Sequence, residues 1–168
     1  MKYLISVFLL LFLLGCTESN EIPKEQSTMK DFIENKGYQV ISYEGLAETY
    51  ELTKEKITEL PYIMYWGLQS VEPAQYFGKT INVEKFLVKN HPLSEGEVDV
   101  YVYEVDGQPI GGTSFPHGER LYGGYWSLDG KTLEELQSKS FQDWQADWIN
   151  KYSKNIGLVQ QTNWPTWE

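Results

Sequence analysis

The side chains able to do chemistry in this chain are few, and they do not converge. The two histidines, His91 and His117, have no metal-spaced partner of the His-x-x-x-His kind. Ser114 and His117 stand three residues apart, but no Gly-x-Ser-x-Gly elbow surrounds the serine and no acid follows in a motif that would orient the imidazole. With 24 Asp and Glu, some pair must fall close together in any fold, and such a pair reads as chance rather than as a glycosidase site. Gly111-Gly112 lacks the lysine and the following helix of a phosphate-binding loop. No catalytic residue, cofactor site or metal site is expected, and an unrecognised hydrolase is the third of three functional readings.

Recognition chemistry is better supplied, because the chain carries 6 Trp, 12 Tyr and 7 Phe. Phe141, Trp144, Trp148 and Tyr152 recur at three- and four-residue spacings and form one stripe on a helix. Trp144 and Trp148 are candidate binding residues, with Trp164 and Trp167 of the tail beside them, and the competing reading is the buried side of an amphipathic helix. Tyr101 and Tyr103, on one face of a strand whose other face holds Val98, Val100 and Val102, are the alternative candidates, open only where no helix packs on them. Either set suits a protein partner or, as the second reading, a cell-wall glycan.

Cys16, the one cysteine, closes the run MKYLISVFLLLFLLGC. Lys2 gives a positive start, and the apolar stretch from Tyr3 to Leu14 rises only about 18 Å as a helix against roughly 30 Å of hydrocarbon, the length of a signal peptide rather than a span. Leu13-Leu14-Gly15-Cys16 resembles the lipobox of bacterial lipoproteins. The resemblance implies cleavage after Gly15, diacylglyceryl transfer to the Cys16 sulfur and residence on the extracytoplasmic face of the cell membrane. A thioether leaves no thiol for a disulfide, a zinc site or a nucleophile. Loss of residues 1–15 leaves 13 basic against 24 acidic side chains, a net charge of −11, which repels nucleic acid.

These residues need elements to hold them. Residues 16–27 are polar and read as a tether, 28–155 as one α+β domain and 156–168 as an aromatic tail. Thr28 and Asp31 predict a helix start, with Met29, Phe32 and Ile33 on its buried face and Gly37 at its end. Residues 38–52 alternate as a strand with Gly45 a bulge or bend, and Pro61 interrupts a helical stretch over 54–69 around a buried Trp66. In KTINVEKFLVK the apolar phase moves from Ile81 and Val83 to Phe86 and Val88, which predicts a bulge. Asp106-Gly107 between two strand-like runs predicts a hairpin over 98–115. A last strand is expected over 120–128, broken by Gly123-Gly124, and Thr132/Glu135 and Ser140/Asp143 mark two helix starts. The sum is an α+β domain, an antiparallel sheet of four or five strands with N-terminal, middle and C-terminal helices packed on it.

Residues 30–128 also resemble an uncharacterised family of small domains on Gram-positive lipoproteins and secreted proteins. The features carrying this are Tyr76-Phe77-Gly78-Lys79 before a strand, the Asn90-His91-Pro92 loop and Asp106-Gly107 followed by Ile110-Gly111-Gly112. The resemblance implies an α+β fold at the cell surface and no known reaction. The expectation is a lipid-anchored, non-catalytic accessory or regulatory module that binds a protein partner at the cell surface.

Overall fold

A computed structural model describes residues 22–118 and 124–153. The leader, Cys16, Arg120, Gly123 and the tail with Trp164 and Trp167 lie outside them. The described chain is an α+β unit: a five-stranded antiparallel sheet in the order β1-β2-β3-β4-β5 with helices on both faces. Its elements are α1 (Ser27–Glu34), β1 (Gln39–Glu51), α2 (Tyr62–Gly67), β2 (Thr80–Lys89), β3 (Val98–Val105), β4 (Gln108–Pro116), β5 (Trp126–Ser127), α3 (Leu133–Gln137) and α4 (Phe141–Ser153). Among the described residues no helix is long and apolar enough to cross a membrane.

The strands lie beside their neighbours in sequence; β3 and β4 are joined by the tight turn Asp106-Gly107, whereas the connection from β1 to β2 carries α2. Gly107 sits at φ +79°, where a side chain would be strained, and Glu104 accepts a hydrogen bond from its N–H. Glu104 is buried but also accepts from Asn82 Nδ2 at 2.9 Å, so the carboxylate is satisfied on both sides of the turn.

Each face of the sheet has its own cover. On one, α1 lays Met29 and Ile33 over Phe86, Val88, Val98, Val100 and Val102. On the other, α2 lays Trp66 over Ile81, Val83, Tyr103 and Val105, and Tyr152 of α4 joins them. The predicted bulge in β2 is therefore corrected. β2 pairs with β3 in unbroken register, and its apolar phase changes because α2 covers one face at its start while α1 covers the opposite face at its end. The irregularities lie in β1, whose pairing with β2 slips between Val40 and Ser42, between Tyr43 and Gly45 and between Leu46 and Glu48. Gly45, at φ +101°, occupies one of them, as expected.

Helix starts differ in part from the expectation. Structure begins before Thr28: residues Lys24–Gln26 form a 3-10 turn, Ile22 packs on the α1-side core, and Thr28 lies inside the helix without capping it. Pro61 precedes a fresh helix, since the stretch over 54–69 divides into a 3-10 turn at Lys56–Thr58 and α2. Of the last strand expected over 120–128, residues 120–123 lie outside the described residues, and the described part holds the two residues of β5. Thr132 and Glu135 form the reciprocal capping box of α3, and Ser140 Oγ accepts from the Asp143 N–H at 3.2 Å at the start of α4.

Candidate functional site: a tyrosine-lined pocket

The aromatic stripe of α4 faces inward. Trp144 is 5% exposed, packed with Ile63, Leu68 and Leu133 where α2, α3 and α4 meet. Trp148 is half-buried between that cluster and the α2-side core, and its indole N–H donates to the Ile57 carbonyl at 2.8 Å. Rings from Phe141 to Tyr152 follow one another along the helix with Trp144 and Trp148 centroids 5.0 Å apart. As a candidate binding residue Trp144 is corrected to core, while Trp148 stays half-buried on the same inward stripe: a helix with one apolar stripe turns it inward when a sheet and a second helix stand beside it.

The other two candidates are closer to an opening. Tyr103 is itself core, 2% exposed, but Tyr101, two residues earlier on the same face, is half-buried at the border of the α2-side core. A pocket of about 200 Å³ opens there, walled by Tyr65 of α2, Tyr101 and Tyr103 of β3, Tyr125 before β5, and Ala47 and Glu48 of β1. The Tyr65 and Tyr125 rings meet edge to face with centroids 4.5 Å apart. Burial raises the phenols of Tyr65, Tyr101 and Tyr103, so all three are neutral at physiological pH and offer rings and hydroxyls rather than charge. The Tyr101 hydroxyl makes no hydrogen bond to any described residue.

Glu48 is the one charged group in the wall among the described residues, and the bulge beside it puts it there. Leu46 pairs with Glu84 on the α1 side, whereas Glu48 pairs with Val83 on the α2 side. In a regular strand residues two apart share a face, so the extra residue Ala47 turns the Glu48 carboxylate toward the tyrosines. Tyr62 donates to that carboxylate, and this hydrogen bond, with burial and the negative charge behind it, pushes the Tyr62 phenol up to about 12. Alternation alone places Glu48 with Leu46, and the bulge expected at Gly45 does not separate them, since the slip that moves Glu48 is a second one at Ala47.

A larger concavity lies elsewhere, and its polar groups are already engaged with its own walls. A cleft of about 420 Å³ runs along the outer edge of β4, where β5 stops. There Gln69 behaves as a one-residue strand: its Oε1 accepts from the Gly112 N–H at 2.7 Å and its Nε2 donates to the Gly112 carbonyl at 3.2 Å. Gly111 and Gly112 are glycine because a Cβ on the first would strike the Gln69 amide and on the second the Tyr101 carbonyl. Lys36 pairs with Asp129 at 2.9 Å and Gln137 donates to the Gly67 carbonyl, so the polar groups of this cleft serve one another.

The residues first considered for chemistry are dispersed. His91 is buried, with Nε2–H donating to the Leu128 carbonyl at 3.0 Å and Nδ1 accepting from the Leu93 N–H at 3.1 Å. His117 meets Asp99 at 2.9 Å, and Lys85 reaches the same carboxylate at 3.2 Å. Ser114 is on the opposite face, fully buried and donating to the Ser127 carbonyl, so it does not complete a triad with that pair. No group of three His, Cys, Asp or Glu placed to hold a metal occurs among the described residues. The chain matches no family model, no curated protein and no solved structure, so the site is read from its own geometry.

Proposed function

We propose that this chain is a lipoprotein anchored through Cys16 to the extracytoplasmic face of the cell membrane, and that it is a non-catalytic accessory module docking a protein partner in the tyrosine pocket. The observation that carries the docking surface is the pocket itself: among the described residues, four tyrosines from α2, β3 and the segment before β5 stand around a single carboxylate, and the Tyr101 hydroxyl makes no hydrogen bond to any of them. Tyrosine suits such a role because it brings large contact area at small entropic cost and a polar tip for orientation. A second acid to pair with Glu48 would favour hydrolysis, and the described residues of the pocket wall supply none.

The anchor sets where the partner must be. Residues 16–22 span at most about 20 Å when extended, so the domain works close to the bilayer. The chain enters on the α1 side, through Ile22, and the pocket opens on the opposite side of the sheet. The test is capture from gently solubilised membranes with the lipidated protein as bait. One stoichiometric partner should be retained by the wild type and by Leu136→Ala in the β4-edge cleft, and lost by Tyr101→Leu of unchanged melting temperature. Retention by Tyr101→Leu would overturn the assignment of the surface.

A further inference from the structure

Resting on the docking reading, the character of the pocket wall narrows what enters it. We infer that the tyrosine pocket receives an alkylammonium group, presented by the protein partner as a lysine side chain. Three features of the structure lead there. The volume, about 200 Å³, admits one side chain rather than a drug-sized ligand. Among the described residues the wall offers tyrosine rings with a carboxylate at one side and no cation, which is the combination that attracts an ammonium through ring quadrupole and charge together. Buried Val83 and the Ala47 methyl would pack against a methylene stem.

The protein's own lysines show the same preference around this cluster. Lys56 Nζ lies 4.2 Å from the centroid of Tyr62 and 5.2 Å from that of Tyr50, and Lys85 Nζ lies 5.9 Å from that of Tyr101. Neither lines the pocket, and Lys85 is held by Asp99 at 3.2 Å. A carboxylate, phosphate or sulfate would instead face Glu48 and the negative sides of the rings, and the net charge of −11 on the mature chain disfavours an anionic surface on the partner. Entry of the ammonium costs its hydration, so the Glu48 charge is required to offset that loss, and a neutral group of the same shape gains nothing from it.

The test uses full-length lipidated protein in maltoside micelles with ¹³C-labelled tyrosine rings. It is titrated with n-butylammonium, the lysine side-chain analogue, and in parallel with n-butanol and N-acetylglucosamine. Saturable shifts confined to a subset of tyrosine rings are expected with n-butylammonium alone, with a dissociation constant on the order of millimolar, as about five non-hydrogen atoms allow. Glu48→Gln keeps an acceptor for Tyr62 and should weaken binding about tenfold, while Tyr101→Leu should weaken it roughly threefold or more and remove one shifted ring. Equal binding of n-butanol, saturation by N-acetylglucosamine, or an unchanged constant in Glu48→Gln would each overturn the ammonium assignment. If n-butylammonium fails while partner capture still depends on Tyr101, the ammonium inference falls and the docking site stands; if capture is also indifferent to Tyr101, both fall.

Discussion

Replacing Gly67 with alanine tests whether the tryptophan stripe is core. Gly67 ends α2 at an ordinary negative φ, so helix propensity by itself favours alanine by up to about 1 kcal/mol. Against that, an alanine Cβ would lie 2.5 Å from Cη2 and Cζ2 of Trp144 and 2.7 Å from Cδ1 of Leu133. Ordinary carbon–carbon contact is about 3.5 to 4.0 Å, so three atoms are overlapped by about 1 Å. Trp144 cannot swing away, since Phe141 and Trp148 stand on either side with centroids 6.1 and 5.0 Å distant. Overpacking a fixed core costs about 1 to 3 kcal/mol, and the upper end applies where a ring and a branched methyl are both struck. The net loss is about 2 kcal/mol, a fall in melting temperature of about 5 to 10 °C. Trp144→Phe deletes both struck ring atoms, so its combination with Gly67→Ala should cost at least about 1 kcal/mol less than the two single variants summed, measured by thermal and urea unfolding. A raised melting temperature in Gly67→Ala, with additive double-variant energies, would refute the packing and return Trp144 to the surface.

Gly107→Val should lower stability by about 1 to 2 kcal/mol in urea unfolding through backbone strain alone, because its Cβ meets nothing within 4 Å; an unchanged midpoint would place the turn elsewhere. His91 has its imidazole pKa lowered from 6.5, chiefly by burial, the hydrogen bond to Leu128 opposing this only in part. Its contribution to stability is therefore complete above pH 6.5 and is lost as the pH falls from there through the folded-state pKa, at up to about 1.4 kcal/mol per pH unit. Melting temperature should accordingly fall with acidity in this window, less steeply in His91→Gln, and identical slopes would contradict a neutral buried ring. Cys16→Ser should abolish incorporation of labelled fatty acid, and retained label would remove the anchor.

Much of the fold was legible because it rests on local signals. Asp106-Gly107, the Thr132/Glu135 box and the inward stripe at Met29 and Ile33 each carry their own mechanism and need no distant partner. The phase change in β2 was visible but its cause was not, since alternation shows where apolar side chains point and not which helix covers each face. Trp144 and Trp148 posed the same difficulty: a stripe looks identical whether it meets solvent or α2. Tyr101 is half-buried and lines a pocket on the tyrosine face that alternation defines, whereas alternation does not bring Glu48 to that pocket, because a one-residue bulge at Ala47 moves it across the sheet.

Position-specific photo-crosslinking in intact cells tests the docking surface most directly. Ala47 and Leu46 are adjacent and exposed, yet Ala47 borders the tyrosine pocket while Leu46 belongs to the α1 side of the sheet. With a photoreactive phenylalanine at each site in turn of the lipidated protein, one discrete protein adduct should form from position 47, be absent from position 46 and vanish from position 47 when Tyr101→Leu is added. Equal adducts from both positions, or one from position 47 indifferent to Tyr101, would contradict the tyrosine pocket as the docking site.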